Sequence, residues 1–205
     1  MCQKLLYFLF IISIGVQGYS QDDPCTAIPL PLSTVGSCNY IIGDNTGATD
    51  SDLINPNIDA PSGCEPVSAN YAGADVWFYI DLGPSTTSIE IDLTHIATSN
   101  FDDGVIALYT GTCGGNLSIV ECDDDSGSGF LEPNFSVLNM LTPNTRVYVR
   151  VWEWGGSDEG TFNICVSEIV PTPPPGCGDS FYDSGGSSGD YGNNELETTT
   201  ITPTN

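Results

Sequence analysis

Hydrophobic residues recur at every second position along much of the chain. In the stretch "SIEIDLTHI" the apolar residues Ile89, Ile91 and Leu93 alternate with polar residues such as Glu90 and Asp92, and "DVWFYIDL" (75–82) behaves in the same way. A period of two indicates a β-strand that buries one face and exposes the other. Both stretches are therefore predicted to be half-buried strands.

Five further short apolar runs continue this series, separated by Gly, Pro, Asn and Asp. They are residues 105–109, 117–120, 135–138, 146–152 and 161–166. Turn residues at these intervals are typical of β-sandwiches, and no segment after residue 20 carries a helical repeat of useful length. We therefore predict an all-β protein in which residues 21–168 form one antiparallel β-sandwich.

Residues 1–20 depart from this pattern. Lys4 stands near the start, an apolar run covers residues 5–16, and the small residues Gly18 and Ser20 precede Gln21. This arrangement predicts a secretory signal peptide that is cleaved before Gln21. The apolar run is shorter than the roughly 20 residues that span a bilayer, so we expect no membrane insertion after signal cleavage.

The amino-acid composition also changes towards the C-terminal end. Residues 169–176 are proline-rich, which predicts an extended linker. Residues 177–205 are too few to bury a core of their own and end within an apparent strand. We therefore predict a truncated second β module after the linker.

The charge balance of the chain excludes several classes of partner. There are 27 acidic residues against three basic ones, and the net charge is −24. Nucleic acids and anionic lipids are bound through Lys and Arg, so neither is expected to bind. The hydrophobic fraction of 40% is nevertheless enough to build a core. The charge is thus predicted to coat a folded domain.

The cysteines are interpreted in the light of export. An oxidising compartment favours disulfides over metal thiolates, and the six cysteines from Cys25 to Cys165 can pair in fifteen ways. We predict the pairs Cys25–Cys165, Cys38–Cys64 and Cys113–Cys122. The third pair follows from a predicted hairpin between "GVIALYTGTC" and "LSIVEC", which would bring its two cysteines alongside each other.

The turn "ECDDDSGSGF" is a candidate metal site. Neighbouring carboxylates repel one another, so such a turn is either well solvated or binds a cation. Calcium takes about six to eight oxygen ligands from carboxylates, carbonyls and water. The candidate ligands are Asp123, Asp124 and Asp125 in this turn, with Asp102 and Asp103 before the partner strand. A solvated acidic turn that keeps a sheet end soluble is the alternative.

The strand "VYVRVWEWGG" is a candidate carbohydrate contact. If its valines share one face, then Tyr148, Trp152 and Trp154 share the other, where exposed aromatic rings could stack on a sugar. The alternative, which we favour, is that one face packs on the core and the other on a loop or the second sheet.

Nothing in the sequence favours catalysis. The sole histidine, His95, falls in an alternating strand, where a half-exposed structural residue is more common than a general base. We therefore predict that the chain is not an enzyme.

Two parts of the chain resemble known families. Residues 22–167, with "DVWFYI", "DDGVIALYTGTCG", "LSIVECDDDSG", "LTPNTRVYVRVWEWGG" and "GTFNICV", resemble the bacterial pre-peptidase C-terminal domain. The resemblance implies a jelly-roll-like sandwich in a large secreted or cell-surface protein, calcium binding in some members, and no catalysis by the module itself.

The C-terminal segment, with "FYDSGG", "GDYGNNE" and "TTTITP", resembles the opening of a CUB domain. It covers about a quarter of such a domain. Related bacterial sequences carry a cysteine where this chain has Thr202, so the usual partner of Cys177 is missing.

Together these observations predict a non-catalytic extracellular binding or adhesion module of a larger secreted multidomain protein. The expected partner is an extracellular protein or a polysaccharide. The alternative is an accessory domain of a secreted peptidase whose catalytic domain is absent from this chain.

Overall fold

The computed structural model describes residues 21–51, 58, 64, 74–155 and 158–170. The chain divides into two compact units, Met1–Pro171 and Thr172–Asn205, and every described residue belongs to the first. The predicted signal peptide, the CUB-like segment and most of the linker lie outside the described residues and stay predictions. Among the described residues we find no helix with the length and hydropathy of a membrane span.

Within these residues, a short 3-10 turn at Pro24–Thr26 precedes ten strands. The strands are β1 (Ile28–Pro29), β2 (Leu32–Ser33), β3 (Ile41–Asp44), β4 (Val76–Asp81), β5 (Ile89–His95), β6 (Gly104–Gly111), β7 (Leu117–Asp123), β8 (Asn134–Val137), β9 (Arg146–Glu153) and β10 (Thr161–Glu168). Each of the seven predicted strands overlaps one of β4 to β10. The alternation does not predict β1 to β3, because these strands are short and two of them contain Pro or Gly.

Four antiparallel strand pairs nest inside one another: β6 with β7, β5 with β8, β4 with β9, and β3 with β10. Pairing of β6 with β9 and of β5 with β10 joins them into two sheets, ordered β1-β4-β9-β6-β7 and β2-β10-β5-β8, with β3 also beside β10. A long hairpin rolled into two sheets in this way is a jelly roll, so the predicted fold class is confirmed. The short strands β1 and β2 depart from the antiparallel order, since they pair in parallel with β4 and β10.

The inner faces of the two sheets pack into one apolar core. Phe78 of the first sheet and Phe162 of the second meet with ring centroids 6.3 Å apart, and Phe101 lies 4.7 Å from Phe162. Strand β5 shows the predicted alternation, because its apolar residues are buried and its polar residues are partly exposed. The core therefore covers only the inner face of each sheet, and each outer face is covered or exposed independently.

The structure corrects the predicted disulfides. The bonded pairs are Cys25–Cys113, Cys38–Cys165 and Cys64–Cys122, with Cα–Cα distances of 4.8, 5.6 and 6.2 Å. The predicted pairs Cys25–Cys165, Cys38–Cys64 and Cys113–Cys122 are all wrong.

The hairpin explains the error at Cys113. Strands β6 and β7 pair as predicted, but Cys113 lies in the turn beyond Gly111, whereas Cys122 lies opposite Ala107, well along β7. The turn is tight because Gly111 has a φ of +131°, and a Cβ at this position would collide with the carbonyl oxygen of Asn116. The two cysteines therefore sit at different heights of the hairpin.

Strand order explains the other two corrections. Cys25 precedes β1, which pairs with β4 in the first sheet, whereas Cys165 belongs to β10 in the second. Strand β2 lies beside β10, and the chain that follows β2 brings Cys38 to Cys165. Sheet membership, which the sequence does not reveal, thus decides the pairing.

Candidate binding cleft and acidic edge

An open cleft of about 670 Å³ lies on the outer face of the second sheet. Strand register sets its floor: Ser167 of β10 lies opposite Glu90 of β5, and Asp92 of β5 lies between Cys165 of β10 and Asn134 of β8. Residues in register project from the same face of a sheet, so polar groups of three strands converge here. We call this feature the outer cleft; residues 35–38, 126–128 and 168–170 complete its lining.

Both walls of the outer cleft are tied to the sheet. The wall at residues 35–38 is fixed by the Cys38–Cys165 disulfide. The wall at residues 126–128 is fixed by Asp123, whose Oδ2 accepts the backbone N–H groups of Ser126 and Asn134, each at 2.9 Å. The cleft is therefore built on a strand platform with anchored loops.

Two of the three carboxylates in the outer cleft, those of Asp92 and Glu168, accept hydrogen bonds from neutral donors. Asp92 accepts the Tyr40 hydroxyl through Oδ2 and the Asn134 side-chain amide through Oδ1, the latter at 2.8 Å. Burial, followed by the hydrogen bond to Asp92, raises the pKa of Tyr40 to about 12. Glu168 accepts the Thr86 hydroxyl at 2.9 Å. These contacts orient the acidic groups without neutralising their charge.

The aspartates predicted as metal ligands meet at one edge of the first sheet. Ile106 of β6 lies opposite Asp123 of β7, so the start of β6 and the end of β7 are neighbours. We call the residues gathered there the acidic edge: Asp102, Asp103, Asp123, Asp124 and Asp125. The sequence leaves open whether the two acidic groups share an edge, and the structure shows that they do.

Crowding at the acidic edge perturbs the carboxyl groups. Burial, followed by the charges of Asp125, Asp124 and Asp102, raises the pKa of Asp103 to about 6. Burial and the charges of Asp125 and Asp123 also raise the pKa of Asp124. The fold thus holds these groups in an environment that disfavours their ionised form.

A closer set of carboxylates adjoins this edge. Asp102, Glu153 and Asp158 each offer an oxygen within 4.8 Å of the others. Glu153 lies opposite Gly104, so the end of β9 reaches the start of β6. The sequence does not predict Glu153 and Asp158 as ligands. Their only signal is the acidic stretch "WEWGGSDEG", which starts at the end of β9 and becomes informative once β9 is known to lie beside β6. Carboxylate oxygens in such a group are suitable ligands for calcium.

His95 has a structural role in the same region. Its Nε2 accepts the backbone N–H of Gly104 at 3.3 Å, and its own backbone N–H donates to Glu132 at 2.9 Å. Burial lowers the pKa of His95, although Glu132 and Asp102 oppose this effect. The Nε2 atom is therefore engaged by the backbone.

The aromatic residues predicted to contact a sugar are mostly covered. Tyr148 is 7% exposed and Trp152 is 2% exposed, while Trp154 is half-buried. Their face of the first sheet forms a second packed layer with Trp77 and the disulfide-bonded Cys64. In this structure Tyr148 and Trp152 offer no open platform for a sugar ring, and the packed alternative describes them.

A buried ion pair lies within this layer. The Nε of Arg150 donates to Oδ2 of Asp75 at 2.6 Å, and neither side chain is exposed. The Trp77 indole N–H donates to the same Asp75 oxygen at 3.0 Å, and the guanidinium lies 5.5 Å from the Trp77 ring and 5.4 Å from the Trp152 ring. The outer face of the first sheet is thus closed around a neutralised charge.

Comparison with known proteins gives a limited result. No family model matches the chain, and no curated protein matches it. Among solved structures, the chain is similar to the pre-peptidase C-terminal domain of a collagenase from Bacillus anthracis, with 9% identity over 67% of this chain and 96% of that chain and a TM-score of 0.35. It is also similar to TmCBM61, solved in complex with β-1,4-galactotriose, with 17% identity over 63% of this chain and 88% of that chain and a TM-score of 0.27. At these TM-scores neither similarity assigns a family or a ligand.

Proposed function

We propose that the sandwich is a non-catalytic extracellular binding module that holds part of a protein or polysaccharide in the outer cleft. The observation that carries this proposal is the cleft itself, which has a polar floor in strand register and two anchored walls. Its volume of about 670 Å³ falls within the range of about 300–1,000 Å³ that is usual for ligand sites.

The proposed location rests on the disulfides. Three cysteine pairs are bonded, and such bonds persist mainly in oxidising compartments outside the cytosol. The proposed absence of catalysis is in keeping with the sole histidine, whose Nε2 accepts a backbone N–H at the start of β6. An accessory domain of a secreted peptidase would use the same cleft to hold substrate beside a catalytic domain.

A pair of matched variants tests the outer cleft. Glu90→Arg places a long side chain in the cleft, whereas Thr94→Arg places the same side chain further along the same face of β5. Retention of the purified protein would be measured on cellulose, chitin, peptidoglycan and immobilised collagen. We expect at least one of these to retain the wild type and Thr94→Arg but not Glu90→Arg. Equal retention of the two folded variants, or no retention of the wild type, contradicts the proposal.

We also propose that the acidic edge, together with the adjoining Glu153 and Asp158, binds calcium and that the ion stabilises the fold. Asp102, Glu153 and Asp158 would supply carboxylate ligands, with Asp103 and Asp124 close by. Burial and then the neighbouring carboxylates raise the pKa of Asp103, and a divalent cation would relieve the part due to the carboxylates, which supports the proposal over a merely solvated edge.

Thermal unfolding tests the calcium proposal. An ion that binds only the folded state raises the melting temperature by mass action, so millimolar calcium should raise that of the wild type. The double variant Asp102→Asn/Asp158→Asn should lose the rise, while Glu121→Gln, an exposed change on β7, should keep it. Asp123 is left intact because it holds a wall of the outer cleft. No calcium-dependent shift in the wild type would leave the solvated edge as the correct description.

A further inference from the structure

The outer cleft carries negative charge without a neighbouring cation. Glu90, Asp92 and Glu168 line it, and none of its lining residues is Lys or Arg. The two arginines in the described part of the chain both lie on β9 in the other sheet, where Arg146 pairs with Asp81 and Arg150 pairs with Asp75. A ligand of the cleft must therefore be cationic or neutral.

Two polar groups at the centre of the floor lack partners among the described residues. The side chain of Ser167 lines the cleft, the residue is only 6% exposed, and its hydroxyl makes no hydrogen bond there. Glu90, opposite Ser167 in the sheet, likewise makes no hydrogen bond within the described chain. The Ser167 hydroxyl and the Glu90 carboxylate both face the cleft with acceptor capacity unused by the described chain, so the pair is suited to a donor supplied by a ligand.

We propose, building on the function proposed above, that the outer cleft binds a lysine-bearing segment of a partner protein. The ammonium group donates to the Glu90 carboxylate and the Ser167 hydroxyl. Its methylene stem lies along the apolar residues at the rim, Val35, Ile169 and Val170. We choose a cationic partner because of charge complementarity. No Lys or Arg in the described part of the domain lies against these carboxylates.

The lining argues against two other ligands. A polysaccharide is usually held by an aromatic ring, and no residue lining the outer cleft is aromatic. A metal ion needs carboxylate oxygens that converge, and among the described residues the convergent group is at the acidic edge rather than in the cleft. A cationic side chain with an apolar stem matches both the charge and the rim.

Fluorescence anisotropy with labelled octalysine tests the inference, with cellohexaose as the neutral probe in a competition assay and EDTA present throughout. Glu90→Gln and Glu121→Gln each remove one negative charge, the first inside the cleft and the second on the exposed side of β7. Since a hydrogen bond to a charged group contributes roughly 1.5–3 kcal/mol, Glu90→Gln should weaken octalysine binding about tenfold or more. Ser167→Ala should weaken it severalfold, Glu121→Gln less than about twofold, and added salt should weaken it throughout.

Equal weakening by Glu90→Gln and Glu121→Gln would mean that octalysine responds only to net charge, and it would overturn the inference. Binding of cellohexaose rather than octalysine, lost in Glu90→Arg, would overturn the inference while leaving the binding module in place. Failure of both probes, together with no retention on any of the matrices above, would overturn both.

Discussion

The outer face of the first sheet is covered by side chains, whereas the outer face of the second sheet is open. On the first sheet, Tyr148 and Trp152 are covered, and Ile58 and Cys64 pack into the same layer. On the second sheet, the outward residues of β5 stay partly exposed and border an open cleft. The difference follows the strand sequences, since "RVYVRVW" carries large side chains on both faces whereas "IEIDLTH" alternates apolar with polar. A strand that is apolar or aromatic on both faces indicates a covered sheet.

The two outer faces also differ in whether their charged side chains are paired. The closed face buries Arg150, and Asp75 neutralises it inside the layer. The open face leaves Glu90, Asp92 and Glu168 without a cation from the described chain. A charged side chain that is buried under a covered face must therefore be paired. On an open face, carboxylates can stay unpaired because they remain in contact with water.

The largest expected effect on stability comes from removing the buried ion pair under the covered face of the first sheet. Asp75→Ala should lower the free energy of unfolding by about 3 kcal/mol or more, because it removes the buried carboxylate that pairs with Arg150 and leaves the guanidinium with Asp50, whose Oδ1 lies 3.7 Å away. Asp81→Ala removes the partner of the exposed Arg146, whose side chain is 44% exposed, and should cost less than about 1 kcal/mol. Urea denaturation of both variants gives the comparison. Similar losses in the two would show that burial does not distinguish the two ion pairs.

The next effect tests the wall of the open face. The double variant Cys38→Ala/Cys165→Ala should cost about 2–4 kcal/mol of stability and increase amide hydrogen exchange at residues 35–38. Cys25→Ala/Cys113→Ala is the control, since it removes a disulfide attached to the first sheet. It should lower stability without increasing exchange at the wall. Increased exchange at residues 35–38 in both variants would mean that the wall responds to global stability alone.

The smallest effect concerns the acidic edge. The pKa of Asp103 is raised from 3.8 to about 6, so the ionised form destabilises the folded state. This penalty is present above about pH 6, fades as the pH falls towards 3.8, and is absent below that value. In calcium-free buffer at pH 8, Asp103→Asn should therefore stabilise the protein by about 1 kcal/mol after allowance for solvent screening, with no gain below pH 4. Equal stability of wild type and variant at pH 8 would contradict the proposed penalty for ionising Asp103, which burial and the neighbouring carboxylates produce together.

The sequence predicts the part of this architecture that depends on local pattern. The alternation around Ile89 and Phe78 locates strands and their inner faces, because period two is a property of a single strand. The cysteine pairing, the burial of Trp152 and the meeting of Glu153 with Asp102 depend on which strands are neighbours. The outer cleft depends in addition on the register between β5, β8 and β10. Such long-range information is absent from any local stretch of the chain.

The nesting of the strand pairs has a consequence for how the chain reaches its fold. The innermost pair, β6 with β7, is a local hairpin that can form early, whereas β10 comes last and lies in the middle of the second sheet, between β5 on one side and β2 and β3 on the other. Until residues 161–168 are available, those neighbours present open edges, and the 127-residue span between Cys38 and Cys165 cannot be bridged in its native register. Folding dominated by such distant pairings is slow, in the millisecond-to-second range or beyond. We therefore expect the second sheet, and with it the outer cleft, to form only after the whole domain has been synthesised.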